Sequence, residues 1–236
     1  MIEVMLVLGI SGLMLVGIMT NVFSSIRAQK YNDSVNNLTD YFQGIYSKLV
    51  AVENITDNNL RCGSSGMTEA MPNSSNPGQS DCLIMGVFLS SDGSSITSKT
   101  VYSTNDLAKD APDDLEALKR ANLVEDVNSK NFVNYKLSWE TSIYSPSNLG
   151  TNTKMHFNMA VLRSPLSGTI YTFFNDSGNT SNVSSMLDNS YRKEALLCVG
   201  TNGFLGGNGK MGVRIKEDAV NASGVSLITE AEEICQ

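Results

Sequence analysis

The twenty residues from Val4 to Phe23 (VMLVLGISGLMLVGIMTNVF) contain no charged side chain. As a helix they would span about 30 Å, the thickness of a bilayer's hydrocarbon core. The run does not end in a turn. No proline occurs before Pro72, and beyond Lys30 the apolar positions become Val35, Leu38, Phe42, Ile45, Leu49 and Val52. Spacings of three and four put these on one stripe of an α-helix. The pattern therefore predicts one helix from about Ile2 to about Val52, on the order of 75 Å long. Residues 1–25 form its half that is apolar all round; residues 26–53 form an amphipathic half that needs a domain to cover its stripe. Gly9, Gly12 and Gly17 lie in the apolar half. Each weakens the helix by about 1 kcal/mol relative to Ala, and each lets another helix approach closely.

Residues 54–236 differ in character. Asn, Ser, Thr and Gly are abundant and aromatics are few, which reads as a polar, loop-rich domain containing β-structure. The net charge is −7; residues 1–30 hold Glu3, Arg27 and Lys30, a balance of +1, which leaves −8 on the remainder. An acidic body argues against nucleic acid as a partner. Residues 54–81 are turn formers and predict a long connecting loop. Strand-like runs follow at Leu83–Leu89, Ile96–Tyr102, Phe132–Tyr144, Met155–Leu162 and Thr169–Phe174, then at Ala195–Val199 and Met211–Ile215. A helical patch, APDDLEALKRANL, lies between the second and third, and a short helix is expected over Val183–Tyr191. The expected fold is α+β: a long N-terminal helix packed by its second half on an antiparallel β-sheet head.

The four cysteines, Cys62, Cys82, Cys198 and Cys235, form no C-x-x-C pair, and His156 is the only histidine. A structural zinc site normally shows closely spaced ligand pairs, so no metal is expected. An even count in a polar domain behind an apolar segment favours two disulfides and an extracytoplasmic location over four buried thiols. Three pairings are possible. Cys62–Cys82 and Cys198–Cys235 are favoured because each closes a self-contained loop, a contribution of roughly 3–4 kcal/mol each in the chain-entropy picture. Arg27 and Lys30 behind the apolar run would by themselves place the head in the cytoplasm; the cysteines oppose that reading. A cleaved secretory signal would show a basic start, a shorter apolar core and an A-x-A site, and the run has none of these.

Other motifs dissolve into structure. Gly200–Gly212 (GTNGFLGGNGKMG) resembles a phosphate loop only superficially, because Phe204 stands where a glycine is needed and Met211 where Ser or Thr is. A glycine-rich hairpin connection is expected instead. Asp113, Asp114 and Glu116 suit the start of a helix. His156 lies in a strand-like run without a catalytic companion. The N-x-[ST] triplets at Asn37, Asn54, Asn73, Asn175, Asn179, Asn182 and Asn221 follow from an Asn- and Ser-rich composition. No catalytic constellation and no cofactor motif is visible, so the chain is not expected to be an enzyme. Glu3 admits two readings: an acid favouring the helix dipole, or a charge drawn into an apolar bundle, where it needs a partner such as a neighbour's terminal amine.

The stretch MIEVMLVLGISGLMLVGI, running on into an amphipathic helix, resembles the N-terminus of type IV pilins and their relatives, whose processing motif reads roughly G-F-T-L-x-E. Ile2-Glu3-Val4 matches the part around its glutamate. The motif-level match covers residues 1 to about 25; the polar head and the C-terminal cysteine pair match in plan. The resemblance implies a leader removed by a prepilin peptidase, a methylated N-terminus with Met1 at or near it, and assembly with copies of the same chain into a helical filament. It implies that Glu3 pairs with a neighbouring N-terminus, and that minor pilins and an assembly platform are partners. The subunit would sit in the inner membrane before assembly and in an extracellular surface filament afterwards. Many pilins carry a proline near the end of the apolar half. Thr20 and Asn21 stand there in this chain, so any loosening on assembly is expected at Gly12–Gly17. The rival readings are a pseudopilin of a secretion or competence apparatus, a single-pass membrane-anchored binding domain that never polymerises and, remotely, an anchored hydrolase.

Peptide mapping without reduction should recover Cys62–Cys82 and Cys198–Cys235 as separate linked pairs; any link between the two pairs would overturn the pairing.

Overall fold

One unbroken helix, α1 (Ile2–Val50), leads the chain, as the continuous apolar pattern requires. The computed structural model describes residues 2–51, 60–63, 66–69, 83–103, 110–128, 132–147, 153–180, 182–201, 211–229 and 232–235. Within α1 the side chains of Ile2, Glu3, Val4, Leu6, Leu8 and Thr20 lie outside that description. Beyond α1 come β1 (Leu60–Gly63), β2 (Gly66–Glu69), β3 (Leu83–Ser91), β4 (Ser95–Ser103), α2 (Asp114–Arg120), β5 (Leu123–Glu125), β6 (Val133–Lys136) and β7 (Thr141–Tyr144). They are followed by β8 (Phe157–Arg163), β9 (Ile170–Asn175), β10 (Ala195–Thr201), β11 (Met211–Ile215) and β12 (Val225–Ile228).

The strands build two larger antiparallel sheets. One runs β5-β4-β3-β8-β9, with β6 pairing the other end of β4; the second runs β12-β11-β10-β7. The two meet at β7, where the Ile143 amide donates to the Gly93 carbonyl at 2.6 Å and the Met155 amide donates to the Ile143 carbonyl at 2.8 Å. Both sheets turn one face to α1. Leu89, Ile96, Phe157, Met159, Val161 and Phe174 from the first sheet, and Ile143, Leu197, Val199, Val213 and Ile215 from the second, enclose Val35, Leu38, Phe42, Ile45 and Tyr46. Full burial of each of these side chains contributes roughly 1.5–3 kcal/mol. The helix is thus the central element of the head rather than a strut beside it.

The first sheet is covered on its other face too. Along β8, Phe157, Met159 and Val161 face α1, whereas Ala160 and Leu162 join Met85, Phe88, Val101, Leu118 and Phe173 under α2. This is why β8 is nearly all apolar rather than alternating. In β3 the register shifts between Ile84 and Gly86. The bulge puts Met85 and Val87 on opposite faces although they are two residues apart. Gly86 is required there, since a Cβ would stand 2.0 Å from the Val161 carbonyl oxygen.

Several local expectations are corrected. The run Phe132–Tyr144 is not one strand: β6 and β7 belong to different sheets, separated by a turn in which Trp139 and Glu140 have φ of 58° and 57°. The helical patch shortens to α2, and Leu123 instead starts β5, pairing Ser103. Val183–Tyr191 is not an α-helix but two 3-10 turns, Val183–Met186 and Asn189–Tyr191, capped by the side chains of Asn182 and Asp188. The loop expected over 54–81 contains the β1–β2 hairpin, in which Cys62 pairs Met67. Val225–Ile228, given no assignment from sequence, completes the second sheet as β12. The hairpin reading of Gly200–Gly212 agrees with the antiparallel pairing of β10 and β11.

Cys198 and Cys235 are bonded, with Cα atoms 5.5 Å apart. Cys198 lies on the face of β10 turned away from α1, opposite Gly212 of β11. A Cβ on Gly212 would stand 2.3 Å from the Leu197 carbonyl oxygen and 3.1 Å from Cys235 Sγ. The glycine makes room for the bridge. Cys82 and the Cys62 side chain lie outside the described residues, and with them the Cys62–Cys82 expectation.

Because the buried stripe begins at Ser34 and Val35, removal of residues 1–27 should leave a soluble, folded, monomeric head with native near-UV circular dichroism. Loss of the folded signal would place the boundary between apolar half and head too late.

Candidate functional site

Among the described residues, twelve large apolar side chains between Met5 and Ile26 are exposed, Met5 at 77% and Leu13 at 76% among them. They point in every direction around α1, so no single face is polar. Soluble monomers rarely expose contiguous apolar patches beyond a few hundred Å². Three polar residues of this half turn back on their own helix. Ser11 Oγ donates to the Val7 carbonyl, Asn21 Nδ2 donates to the Gly17 carbonyl at 3.1 Å, and Ser24 Oγ donates to the Asn21 carbonyl at 2.9 Å. Each donor is satisfied without water, the condition an apolar medium imposes. The helix is long and apolar enough to cross a membrane.

The residues expected to matter for assembly sit on this half. A Cβ added at Gly9, Gly12 or Gly17 would meet no atom within 4 Å, so the flat surfaces they leave are open to another molecule. Glu3 lies in the first turn of α1, with its side chain outside the described residues. Met1 is likewise outside them.

Where α1 enters the head it is clamped by two hydroxyls. Tyr31 donates to the Val199 carbonyl at 2.9 Å and accepts from the Met211 amide at 2.9 Å, tying the helix to β10 and β11. Ser34, fully buried, places its Oγ 2.6 Å from Thr141 Oγ1, which donates to the Ser138 carbonyl at 2.8 Å. Thr141 closes the turn by donating its amide to the Ser138 carbonyl at 3.2 Å. Its two central residues, Trp139 and Glu140, are both left-handed, a pair of positions normally filled by Asn-Gly. Holding non-glycine residues so costs on the order of 1–3 kcal/mol each. Trp139 is 48% exposed, and Lys30 Nζ stands 4.5 Å from its ring centroid. None of these contacts was anticipated; the signal available was that Trp139 is the chain's single tryptophan.

Elsewhere, shifted ionisation has structural causes. Burial raises Tyr41 to about 12, and burial followed by the charge of Asp40 raises Tyr135 to about 12; their rings stack 4.4 Å apart between helix and sheet. Burial also raises Tyr46, whose hydroxyl lies 2.6 Å from Thr172 Oγ1. At the start of α2, Asp113 is the N-cap, accepting from the Glu116 amide at 2.8 Å. Asp114 turns away and accepts from Ser164 (2.5 Å), Ser167 (2.8 Å) and Tyr171 (2.6 Å). Burial works against its ionisation, but these three hydroxyls outweigh it and hold the carboxyl below its ordinary range. His156 is exposed just before β8. Among the described residues no group of three His, Cys, Asp or Glu could hold a metal.

No protein-family model, curated protein or solved structure matches the chain.

The depressed Asp114 carboxyl has a pH consequence. Its contribution to stability is fully present above the unfolded carboxylate value of about 3.9 and is lost as pH falls through the lower folded value. Acid unfolding followed by circular dichroism should therefore show a stability loss below about pH 4 that Asp114→Asn reduces. Identical acid limbs for the two proteins would remove Asp114 from the account.

Proposed function

We propose that this chain is a structural subunit, a pilin, of a bacterial type IV pilus. It is anchored in the inner membrane by the apolar half of α1, then polymerises through that half into an extracellular helical filament used for adhesion, twitching motility or DNA uptake. The observation that carries the reading is the division of one continuous helix. Its second half is the core of the head, and its first half exposes apolar side chains all round, with Ser11, Asn21 and Ser24 bonded to the helix's own carbonyls. An ordinary membrane anchor needs no rigid continuation through the middle of its domain. A filament subunit does, because the helix must fix the head relative to the core. Gly9, Gly12 and Gly17 fit the same reading, offering close approach to neighbouring helices. The resemblance of the first residues to pilins supplies the remaining support, with prepilin peptidase, minor pilins and the assembly platform as the implied partners.

Glu3 provides the test. Within a staggered bundle its carboxylate pairs with the terminal amine of the next subunit. Removing one member of a buried pair costs roughly 3–5 kcal/mol. Glu3→Leu should leave membrane-bound subunit at wild-type levels and reduce sheared surface filament severely, whereas Glu3→Asp should be milder. Wild-type filament yield from Glu3→Leu would sink the pairing. Absence of any filament containing the wild-type chain would sink the pilin reading itself.

A further inference from the structure

The clamp at the base of the head accounts for Ser138 and Thr141 but not for the exposed Trp139 at the tip of the turn. The turn holds two strained residues, leaves the only tryptophan half in solvent, and is fastened to α1 by a buried serine. Its position along the helix is informative. Arg27, Lys30 and Ser34 follow one another at spacings of three and four, on one side of α1. Ser34 grips the turn, and Lys30, one helical turn nearer the apolar half, lies over the Trp139 ring.

Measured from Phe23, where the uncharged run ends, Arg27 is about 6 Å and Lys30 about 10 Å further along the axis. The interfacial layer outside a bilayer core is about 5–8 Å thick on each side. Lys30 can reach back into it by extending its stem. The Trp139 ring, beside Lys30 Nζ, stands at the outer edge of this layer, the layer in which tryptophan concentrates in membrane proteins, its ring amphipathic and its N–H hydrated. Charge is distributed in the same sense. The residues after Lys30 carry −8, whereas the two basic residues nearest the apolar run, Arg27 and Lys30, have no acid between them and precede Asp33 along the helix.

We propose that the Ser138–Thr141 turn, with Trp139 at its tip and Arg27 and Lys30 beneath it, seats on the anionic headgroup layer of the bilayer that α1 crosses. The inference rests on the membrane-anchored stage of the proposed function. It adds a surface: the base of the head is built to lie on lipid. The backbone strain is then the cost of aiming Trp139 downward, held in place by the Ser34–Thr141 contact. Two functions are combined at one level of the helix. Basic side chains attract the phosphates, and the ring fixes depth.

Because Trp139 is the sole tryptophan, its native fluorescence reports the contact directly. Full-length protein is reconstituted into vesicles of phosphatidylcholine and phosphatidylglycerol. Trp139 emission should be blue-shifted from that of tryptophan in water, and quenched by lipids brominated near the glycerol end of the chain more than by lipids brominated near the methyl end. In Arg27→Gln/Lys30→Gln protein that still co-floats with the vesicles, the shallow quenching should fall. Co-floating wild-type protein whose emission stays water-like and unquenched would overturn the proposal while leaving membrane anchoring intact. Emission that shifts only in assembled filaments would overturn it as well, assigning the turn to a neighbouring copy. Protein that does not co-float with vesicles would remove both the anchoring and the contact.

Discussion

The packing of one helical stripe against two sheets at once is the interaction on which the rest depends. Val35, Leu38, Phe42, Ile45 and Tyr46 are buried in one cluster with side chains from both sheets. Each sheet alone would leave that face wet. β7 carries the consequence, since its position is set by pairing to β10 on one side and by single hydrogen bonds to Gly93 and Met155 on the other. The sheets are joined more through the helix than through one another. The amphipathic half of α1 is therefore a folding requirement, and the apolar half inherits its direction from it.

Polar atoms sharpen what the apolar stripe leaves loose. A stripe permits sliding by a turn with little loss of apolar contact. Hydroxyls do not. Tyr31 against Val199 and Met211, Ser34 against Thr141, and Tyr46 against Thr172 pin the register at three heights along the helix, each at hydrogen-bonding distance. Buried polar groups without partners cost about 1–3 kcal/mol each, so a slipped helix would lose several such contacts together.

The helix, its two halves and the antiparallel head were legible because their signals are periodic and long. The pairing of Cys198 with Cys235 was legible from loop closure. What could not be read were features decided by distant partners. Phe132–Tyr144 looks like one strand in composition, and only the competing demands of two sheets break it at Trp139, with no Asn-Gly to mark the turn. The spacing of Val183–Tyr191 suits an α-helix, but Asn182 and Asp188 each cap a separate short turn. The Val225–Ile228 strand is too short to announce itself without β11 beside it. At the candidate site, Gly9, Gly12 and Gly17 were visible as residues, whereas the Tyr31 and Ser34 clamps depend on contacts more than a hundred positions away.

The disulfide also sets a mechanical limit. β11 and β12 lie between Cys198 and Cys235, and β12 packs on α1. Were the bridge absent, tension peeling the C-terminal segment away could release a 37-residue stretch, on the order of 120 Å of slack. With Cys198 embedded in β10 and β10 tied to the helix through Tyr31, that length is withheld. A pull between the apolar half and the outer surface of the head must shear the helix against its surrounding strands rather than unravel the chain end. The head is thereby made nearly inextensible along the segment that would otherwise yield first.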